Sequence, residues 1–496
     1  MLGERKGHMN LLQKVPDSLL YYNYMKELTK KLIEADKQYV WHPFTQMADW
    51  LSCEPVIIEA GEGFFLIDTE GKRYIDGVSS LWCNVHGHGV KKIDDAIRTQ
   101  LEKIGHSTLL GLGQTKSIEL AEKLVQITPF NLQKVFYSDS GATSVEIAIK
   151  MAYQFRHNTG QKKRAKFIAL ENSYHGDTIG SVSVGGIRLF HGIFEPLLFE
   201  TFFVPSPHPY RFDGTTQACA ENSLDKIDSL LKKCVGEIAA VIVEPLVQGA
   251  GGIIVHPEGF LKKVRELTTE RDVLLIVDEV ATGFGRTGRM FACEHEDVEP
   301  DIMCLGKGIT GGYLPLAATL TTQEIFDAFC GEANEHKTFY HGHTYTGNAL
   351  GCAAALASLE LFAENKIIES LPAKISLIDE VFEELAGLDY VGDVRHRGLM
   401  GGIELVQDKT TKESFPSEKQ IGARLCSVMR PKGLMLRPLD DVIVVIPPIA
   451  IDIELLEELL RIIKDSIEND LPRIVEHNQP QRSQRTQRKW LPPLRK

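Results

Sequence analysis

The sequence predicts an α/β protein whose main part is a mostly parallel, doubly wound sheet. From about residue 90, segments with helical periodicity alternate with short apolar runs, which is typical of such sheets. Before that point, residues 56–78 alternate and turn as antiparallel strands do, and residues 370–470 hold helices with further apolar runs. A chain of 496 residues is also too long for one core. We therefore expect a large domain and a smaller α+β domain formed by N- and C-terminal segments.

The boundaries follow from changes of pattern along the chain. Pro43 stops any helix that enters from the N-terminal side, and the end of the chain carries seven Lys and Arg residues against one Glu. The predicted division is an N-terminal extension with a helix (1–38), the N-terminal part of the small domain (39–89), the large domain (90–365), the C-terminal part of the small domain (366–470) and a disordered basic tail (471–496).

Composition excludes several classes of protein. The formal net charge is −12, which argues against nucleic acid or an anionic membrane as the main partner. No apolar run approaches the length of a membrane span. The nine cysteines form no CxxC pair and no metal-ligand spacing, so we expect thiols in a reducing cytoplasm and no metal site.

The stretch from residue 273 to 310 carries the strongest chemical signal. The apolar run 273–277 delivers Asp278 at its end, and Lys307 follows the run 302–305 by two residues. Ligands of doubly wound sheets lie beyond the carboxyl ends of the strands, where both side chains are expected. One chemistry that needs both groups is pyridoxal phosphate catalysis. There the lysine forms a Schiff base with the cofactor aldehyde and the carboxylate keeps the ring nitrogen protonated.

Several further residues and segments are candidates for the same site. Residues 138–143 follow a predicted strand and open a helix, so their N–H groups could hold a phosphate, although taken alone they also fit an ordinary helix cap at Ser140. Tyr174 follows the strand 166–170 and could cover a flat cofactor or contact substrate. Thr344 could add a second phosphate contact. Arg437, like Arg395 and Arg397, is a candidate for recognition of a carboxylate.

A competing motif lies inside the same stretch. Residues 283–288 match GxGxxG after a strand and so nominate a dinucleotide-binding enzyme. Five residues separate the strand end from the first glycine, whereas the dinucleotide turn is tight. No helical pattern follows the last glycine. The sequence therefore favours the pyridoxal phosphate interpretation.

With these residues in hand, the chain resembles the class III, fold-type I pyridoxal phosphate-dependent aminotransferases over roughly residues 36–470. The signature is Asp278-Glu-Val-Ala-Thr-Gly-Phe-Gly-Arg-Thr-Gly288 with Lys307 downstream. Within that class the chain is most similar to the 7,8-diaminopelargonate synthases of biotin biosynthesis. The motifs that carry this closer resemblance are Trp41-His-Pro-Phe-Thr-Gln46, Ser79-Ser-Leu-Trp82, Tyr174-His-Gly-Asp177, Gln248-Gly-Ala-Gly251 and His341-Gly-His-Thr344.

The resemblance implies a reaction, an assembly and a set of residue roles. Members of that family are homodimers with the active site at the interface. They transfer an amino group to 8-amino-7-oxononanoate, usually from S-adenosylmethionine. The roles implied are Lys307, Asp278 and Tyr174 in catalysis, Ser140 and Gly141 at the cofactor phosphate with His343 and Thr344 from the partner subunit, Tyr174, Gly342, Trp82, Phe44 and Leu81 around the substrate, and Arg437 at its carboxylate.

Two departures leave the amino donor open. Enzymes of the family that use S-adenosylmethionine often carry Tyr where this chain has Phe44, and Trp where it has Leu81. A subgroup that uses lysine as donor has Phe and an aliphatic residue there. We expect S-adenosylmethionine as donor, with L-lysine as the alternative. A class III enzyme acting on other ω-amino acids and an aminomutase are further alternatives. Near Arg437, Asp440 stands where the family usually has Gly.

Overall fold

The segment before residue 90 forms the small antiparallel sheet that its alternating pattern predicts. The computed structural model describes residues 18–476. Its first elements are α1 (Ser18–Tyr39), α2 (Met47–Ser52), β1 (Ile58–Glu62), β2 (Phe65–Asp68), β3 (Arg73–Asp76) and the short, kinked helix α3 (Ser79–Trp82). Strand β2 pairs antiparallel with β1 and β3. The turn between β2 and β3 contains Gly71 at φ +81°, as turn chemistry requires.

The large domain is built on a seven-stranded sheet. Its elements are α4 (Lys91–Lys103), α5 (Thr115–Ile127), β4 (Leu132–Ser138), α6 (Gly141–Asn158), β5 (Lys166–Leu170), α7 (Ile179–Ser183), α8 (Arg188–His191), β6 (Thr201–Val204), α9 (Thr216–Lys233), β7 (Ile238–Val243), β8 (Val247–Gln248), β9 (Ile254–Val255), α10 (Phe260–Glu270), β10 (Leu274–Asp278), β11 (Ile302–Leu305), β12 (Ala317–Thr322), α11 (Gln323–Asp327) and α12 (Ala349–Glu364). The strand order is β4-β12-β11-β10-β7-β5-β6. Only β12 runs against its neighbours, so the predicted mostly parallel sheet is confirmed.

The central strands are apolar because both faces of the sheet are covered. Every residue of β7 and β10 is buried, as expected for a parallel sheet between helical layers. The carboxyl ends of β4, β5, β7, β10 and β11 therefore meet at one edge, where the chain leaves the core. The polar residues that follow these ends are brought together by the topology alone.

The C-terminal segment joins the N-terminal one. Its elements are α13 (Ile367–Ala386), β13 (Val391–Arg397), β14 (Met400–Leu405), α14 (Ile421–Met429), β15 (Leu434–Met435), β16 (Pro438–Leu439), β17 (Val442–Val445), α15 (Ile453–Asn469) and α16 (Leu471–Glu476). Strands β13, β14, β17 and β16 form an antiparallel sheet in that order. Strand β15 pairs with β3, so Leu434 lies opposite Ile75. Both chain segments thus contribute to the small domain, as predicted.

The predicted basic tail begins too early. The basic composition predicts disorder over residues 471–496, but Leu471–Glu476 is helical. Leu471 is fully buried and Ile474 is nearly so, because the two side chains lie one turn apart and pack into the main core beneath α15. The basic composition beyond them concealed this apolar pair. Residues 477–496, and residues 1–17 of the predicted extension, lie outside the described part of the chain.

The buried end of α16 gives a stability prediction. Replacing Leu471 by Ala removes a fully buried side chain and leaves a cavity, so we expect the free energy of unfolding to fall by about 2–4 kcal/mol. Urea unfolding followed by far-UV circular dichroism measures this. The exposed Glu476 on the same helix provides the control, because Glu476→Ala removes no buried surface. Equal unfolding midpoints for both variants would contradict the packing of α16.

Candidate active site

A cavity of about 430 Å³ lies at the carboxyl edge of the large sheet. Each strand that ends there contributes a wall, and Trp82 adds one from the N-terminal segment. The lining residues are Trp82, Ser140, Gly141, Ala142, Tyr174, His175, Gly176, Asp177, Thr178, Glu244, Asp278, Val280, Ala281 and Lys307. A larger cavity of about 800 Å³, between α6 and residues 336–340, contains none of the predicted cofactor residues. The chemistry therefore identifies the smaller cavity as the candidate site.

Lys307 reaches this cavity from the turn that follows β11. It begins a single 3-10 turn, Lys307–Thr310, with φ at +41°. Its Nζ lies 4.8 Å from the centroid of the Trp82 ring. Burial lowers the pKa of Lys307, and the carboxylates of Asp278 and Glu244 oppose that shift. The amine therefore loses its proton more readily than a surface lysine does, as a nucleophile requires.

Asp278 occupies the last position of β10 and is held from two sides. Its Oδ1 accepts a hydrogen bond from the Val280 N–H at 3.1 Å, and its Oδ2 lies 2.7 Å from His175 Nδ1. Both side chains are buried. In the motif Tyr174-His-Gly the sequence nominates only the tyrosine as a candidate and gives no signal for a role of His175. The structure shows that His175 fixes the orientation of the predicted catalytic carboxylate.

The start of α6 is both a helix cap and a place for an anion. Ser140 Oγ accepts a hydrogen bond from the Thr143 N–H at 3.3 Å, and Thr143 Oγ1 accepts one from the Ser140 N–H at 3.0 Å. A Cβ on Gly141 would lie 2.5 Å from Val280 Cγ1, so this position has no room for a side chain. The first N–H groups of the helix have no partner within it and face the cavity edge with the positive end of the helix dipole.

Tyr174 contributes an aromatic wall with a fixed backbone. Its N–H donates to Glu244 Oε1 at 3.0 Å, and its hydroxyl donates to Asp177 Oδ2 at 2.7 Å. Burial and the Asp177 carboxylate raise the pKa of Tyr174, so the hydroxyl stays protonated. Phe44 packs edge-on against Tyr174, with ring centroids 6.4 Å apart. Phe44 is one of the two positions that differ between the donor subgroups, and this contact places it beside the cavity.

Glu244 is a site residue that sequence reasoning missed. It follows β7 immediately, is buried, and also accepts a hydrogen bond from the Gly249 N–H at 2.9 Å through Oε2. Burial raises the pKa of Glu244 to about 7. A single acidic residue directly after the fully apolar run 238–243 was the available signal. It is the same signal that identified Asp278.

Six predicted residues do not line the cavity of their own chain. Within residues 18–476, the residues that line the cavity include none of Phe44, Leu81, Gly342, His343, Thr344 and Arg437. Leu81 is 53% exposed, and Gly342, Thr344 and Arg437 are also exposed. The three residues 342–344 lie in a loop, and Arg437 lies between β15 and β16.

Arg395 is not free to bind a substrate carboxylate. Its Nη1 lies 2.6 Å from Asp393 Oδ2 and 2.6 Å from Glu404 Oε2. Its Nε and Nη2 donate to the carbonyl oxygens of Ile253 and Gly252. Arg397 is only half-buried, and its Nη2 lies 3.1 Å from His295 Nδ1. Of the three arginine candidates, Arg395 has a structural role that attaches the small domain to the loop after β8.

The GxGxxG match forms an irregular turn that holds the two domains together. Arg286 in its centre is buried, its Nη1 donates to the Pro447 carbonyl oxygen at 2.6 Å and its Nη2 to the Asn84 carbonyl oxygen at 3.3 Å. Burial lowers the pKa of Arg286 to about 10. No regular helix follows these glycines, only the 3-10 turn Ala292–Glu296. The geometry does not fit a dinucleotide turn, which opens directly into a helix.

Comparisons with known proteins identify the family of the chain. The model of the family described as aminotransferase class-III matches residues 47–467. A relative from Geobacter sulfurreducens, named adenosylmethionine-8-amino-7-oxononanoate aminotransferase, is 52% identical over 442 residues, which are 88% of this chain and 98% of the relative. A protein of the same name from Aquifex aeolicus is 54% identical over 431 residues, covering 86% and 95%.

Solved structures give the same result. The structure of the enzyme of that name from Methanocaldococcus jannaschii is 49% identical, with a TM-score of 0.84 over 88% of this chain and 98% of that one. An (S)-enantioselective omega-transaminase from Thermomicrobium roseum is 34% identical, with a TM-score of 0.85 over 89% and 98%. The family match covers most of the chain, and the relatives are similar over nearly their whole length. The chain belongs to the class-III aminotransferases.

Proposed function

We propose that this aminotransferase converts 8-amino-7-oxononanoate to 7,8-diaminononanoate in biotin biosynthesis, with S-adenosylmethionine as amino donor. The observation that carries the proposal is a difference in identity. Six relatives with that name are 50–54% identical to this chain over 86–91% of its length. The omega-transaminases share the fold equally well at only 29–34% identity. Similarity of fold therefore does not distinguish between substrates, whereas the higher sequence identity favours 8-amino-7-oxononanoate as the substrate.

The described cavity fits the cofactor of the family, pyridoxal 5′-phosphate. When bound, this cofactor supplies an aldehyde that carries the amino group and a ring that accepts the electron pair of the reacting carbon. Ser140, Gly141 and the N-terminus of α6 would hold the phosphate, since the first turn of the helix points its N–H groups at the cavity and Gly141 carries no side chain to fill the space. Asp278 would face the ring nitrogen, with His175 fixing its orientation.

Lys307 would perform two tasks in this arrangement. Its amine, with a pKa lowered by burial, would attach to the cofactor aldehyde and later move a proton at the reacting carbon. Trp82 covers the amine and limits access of water. Tyr174 would line the substrate pocket and assist Lys307. Arg437, whose guanidinium is exposed on the small domain, would bind the substrate carboxylate.

Replacing Lys307 by Ala tests the central assignment. We expect the variant to lose turnover by at least about 10⁴-fold, because both the attachment point and the proton carrier are gone. Borohydride reduction followed by mass spectrometry should show cofactor fixed to the unmodified chain and none on Lys307→Ala. Lys374 provides a matched control. It is a buried lysine outside the cavity whose Nζ donates to the Ile449 carbonyl oxygen, so Lys374→Ala should keep fixation at Lys307. Normal turnover in Lys307→Ala would overturn the assignment.

The amino donor is tested by single half-reactions. Phe44 lies beside Tyr174, and together with Leu81 it matches the pattern of the lysine-using subgroup, so both donors belong in the experiment. Enzyme loaded with cofactor is mixed with S-adenosylmethionine or with L-lysine. The loss of the cofactor's visible absorption and the mass of the keto product are then followed. We expect the absorption to fall with S-adenosylmethionine. A response to lysine alone would replace the proposed donor while leaving the acceptor unchanged.

We further propose that the enzyme is a homodimer with its active site at the interface. Gly342, His343 and Thr344 do not line the cavity of their own chain. Large apolar side chains are exposed in the same loop and elsewhere, including Tyr340 at 80%, Trp41 at 87% and Leu110 at 89%. Exposed apolar surface of this kind is typical of an association face. The loop would then reach the cofactor phosphate bound by the partner subunit.

Hybrid dimers test this arrangement. A Lys307→Ala subunit combined with a subunit carrying His343→Ala and Thr344→Ala should regain activity, because one of the two shared sites is then intact. A statistical mixture should reach about a quarter of the unmodified activity, since about half of the dimers are hybrids with one working site each. Each variant alone is the control. Absence of recovery, in samples shown by native mass spectrometry to contain hybrids, would place both groups in one chain's own site.

We place this activity in the cytoplasm. All nine cysteines are free thiols, six of them buried, one half-buried and two exposed, as a reducing compartment permits. In the described residues no helix is both long and apolar enough to cross a bilayer. The proposed substrates are small molecules, and the negative net charge of the chain favours neither nucleic acid nor an anionic membrane as partner.

A further inference from the structure

The turn that carries Trp82 has an unusual backbone. Ser79, Ser80 and Trp82 have φ values of +50°, +60° and +63°, in the left-handed region that non-glycine residues seldom occupy. Strained residues of this kind persist only when surrounding contacts impose them, and they concentrate at functional sites. Three of them within four residues make this turn the most strained segment bordering the cavity.

One buried carboxylate imposes the conformation from one side. Asp76, at the end of β3, is fully buried. Its Oδ1 accepts a hydrogen bond from the Ser80 N–H at 2.7 Å, and its Oδ2 accepts one from Ser80 Oγ at 2.9 Å. His88 Nε2 lies 3.1 Å from the same Oδ2. Both carboxylate oxygens therefore act on Ser80, the middle of the strained turn.

The turn is attached on its other side as well. Ser79 Oγ donates to the Ile446 carbonyl oxygen at 2.7 Å, and Arg286 Nη2 lies 3.5 Å from that hydroxyl. Arg286 belongs to the glycine-rich stretch for which the reaction itself provides no role. Contacts from β3, from the stretch after β10 and from the end of β17 thus meet on two serines.

The attached turn delivers one side chain to the reacting groups. The Trp82 ring lies over Lys307 Nζ, with 4.8 Å between nitrogen and centroid. A Cβ on Gly249 would lie 2.8 Å from Trp82 Cζ3, so the backbone of the loop after β8 packs tightly against the ring. The indole thus contacts both Lys307 and this loop, and the backbone of residues 79–82 sets the point from which it enters the cavity.

We propose that Asp76 is a positioning residue for Trp82, whose ring we call the substrate wall of the cavity. By holding Ser80 in a left-handed conformation, it keeps the Trp82 ring over Lys307 and thereby limits which amines reach that nitrogen. The inference rests on the proposed function only for the identity of the amines. The placement of Trp82 by Asp76 is a property of the chain itself and is measurable without turnover.

A purely structural role for Asp76 predicts different behaviour. Asp68, in the same sheet, provides the comparison because it is a partly buried carboxylate with three similar partners. Its oxygens accept hydrogen bonds from the N–H groups of Glu70 and Lys72 and from the Tyr74 hydroxyl. That turn lies away from the cavity lining. Loss of Asp68 should affect stability and leave the substrate wall in place.

The test compares Asp76→Ala, Asp76→Asn and Asp68→Ala in the cofactor-loaded enzyme. In Asp76→Ala we expect KM for donor and acceptor to rise about tenfold or more, with kcat falling less than KM rises, because Lys307 and Asp278 are untouched while the wall has moved. Asp76→Asn should recover most of the loss, since the amide oxygen can accept from the Ser80 N–H and its NH₂ can donate to Ser80 Oγ. Asp68→Ala should keep the original KM values.

A second readout does not depend on activity. In a chain whose other three tryptophans are replaced by Phe, emission reports Trp82 alone. Asp76→Ala should increase quenching of this emission by acrylamide, whereas Asp68→Ala should not. Ser80→Ala removes only the hydroxyl and should give an intermediate effect, so it replaces Asp76→Ala if that variant fails to fold. The quenching measurements test the role of Asp76 even if the enzyme uses amines other than the proposed donor and acceptor.

The outcomes of these measurements distinguish a positioning role of Asp76 from a purely structural one. Unchanged KM and unchanged Trp82 quenching in a folded Asp76→Ala, or in Ser80→Ala, would overturn the proposal. Equal kinetic losses in Asp76→Ala and Asp68→Ala would also overturn it, because they would indicate a general loss of stability. A change in quenching together with rescue by Asp76→Asn supports it.

Discussion

The register between β10 and β11 is the constraint on which the site depends. In this parallel pair Asp278 lies opposite Cys304, and Lys307 follows three residues later at the same edge. Successive residues of a strand point to opposite faces, so a shift of one position would turn the Asp278 carboxylate away from the cavity. The register is secured because every residue of both strands is buried, and any slip would expose part of an apolar run. The core thus fixes the position of the candidate active site.

Buried polar groups then connect the strand ends into one unit. Glu244 joins the backbone of Tyr174 to that of Gly249, and His175, next to Tyr174, binds Asp278. A buried carboxylate is costly unless its oxygens are satisfied, which explains why both acids have partners on each oxygen. The same bonds that stabilise these acids hold the loops of three strands in a fixed relation. Stability and the arrangement of the site therefore depend on the same contacts.

The parts that sequence reasoning found are those encoded locally. Apolar runs that end in Asp278 or precede Lys307 predict both the strands and the residues at their ends, and a serine before a helical pattern predicts the start of α6. The roles of His175, Glu244 and Asp76 depend on partners far away in the chain or on backbone strain, neither of which a local pattern reveals. For the same reason the sequence nominates Arg395 for carboxylate recognition. In the structure its guanidinium is already paired with Glu404 and donates to two carbonyl oxygens. Local periodicity identifies elements, whereas tertiary partners decide what a polar side chain does.

These contacts suggest different roles for the large sheet and for the N-terminal segment. The edge of the large sheet holds the residues proposed to bind the cofactor, and solved structures of other transaminases share this fold with TM-scores of 0.82–0.85 at 28–34% identity. We propose that discrimination between amines arises where the N-terminal segment borders the cavity. There the Trp82 ring lines the cavity and lies over Lys307 Nζ, and Phe44, outside the lining, packs against Tyr174. Because Trp82 stands on a strained turn held by Asp76, a change in that turn can alter the substrate wall while the register of β10 and β11 stays intact. Selectivity can therefore change in this architecture without disturbing the reacting groups.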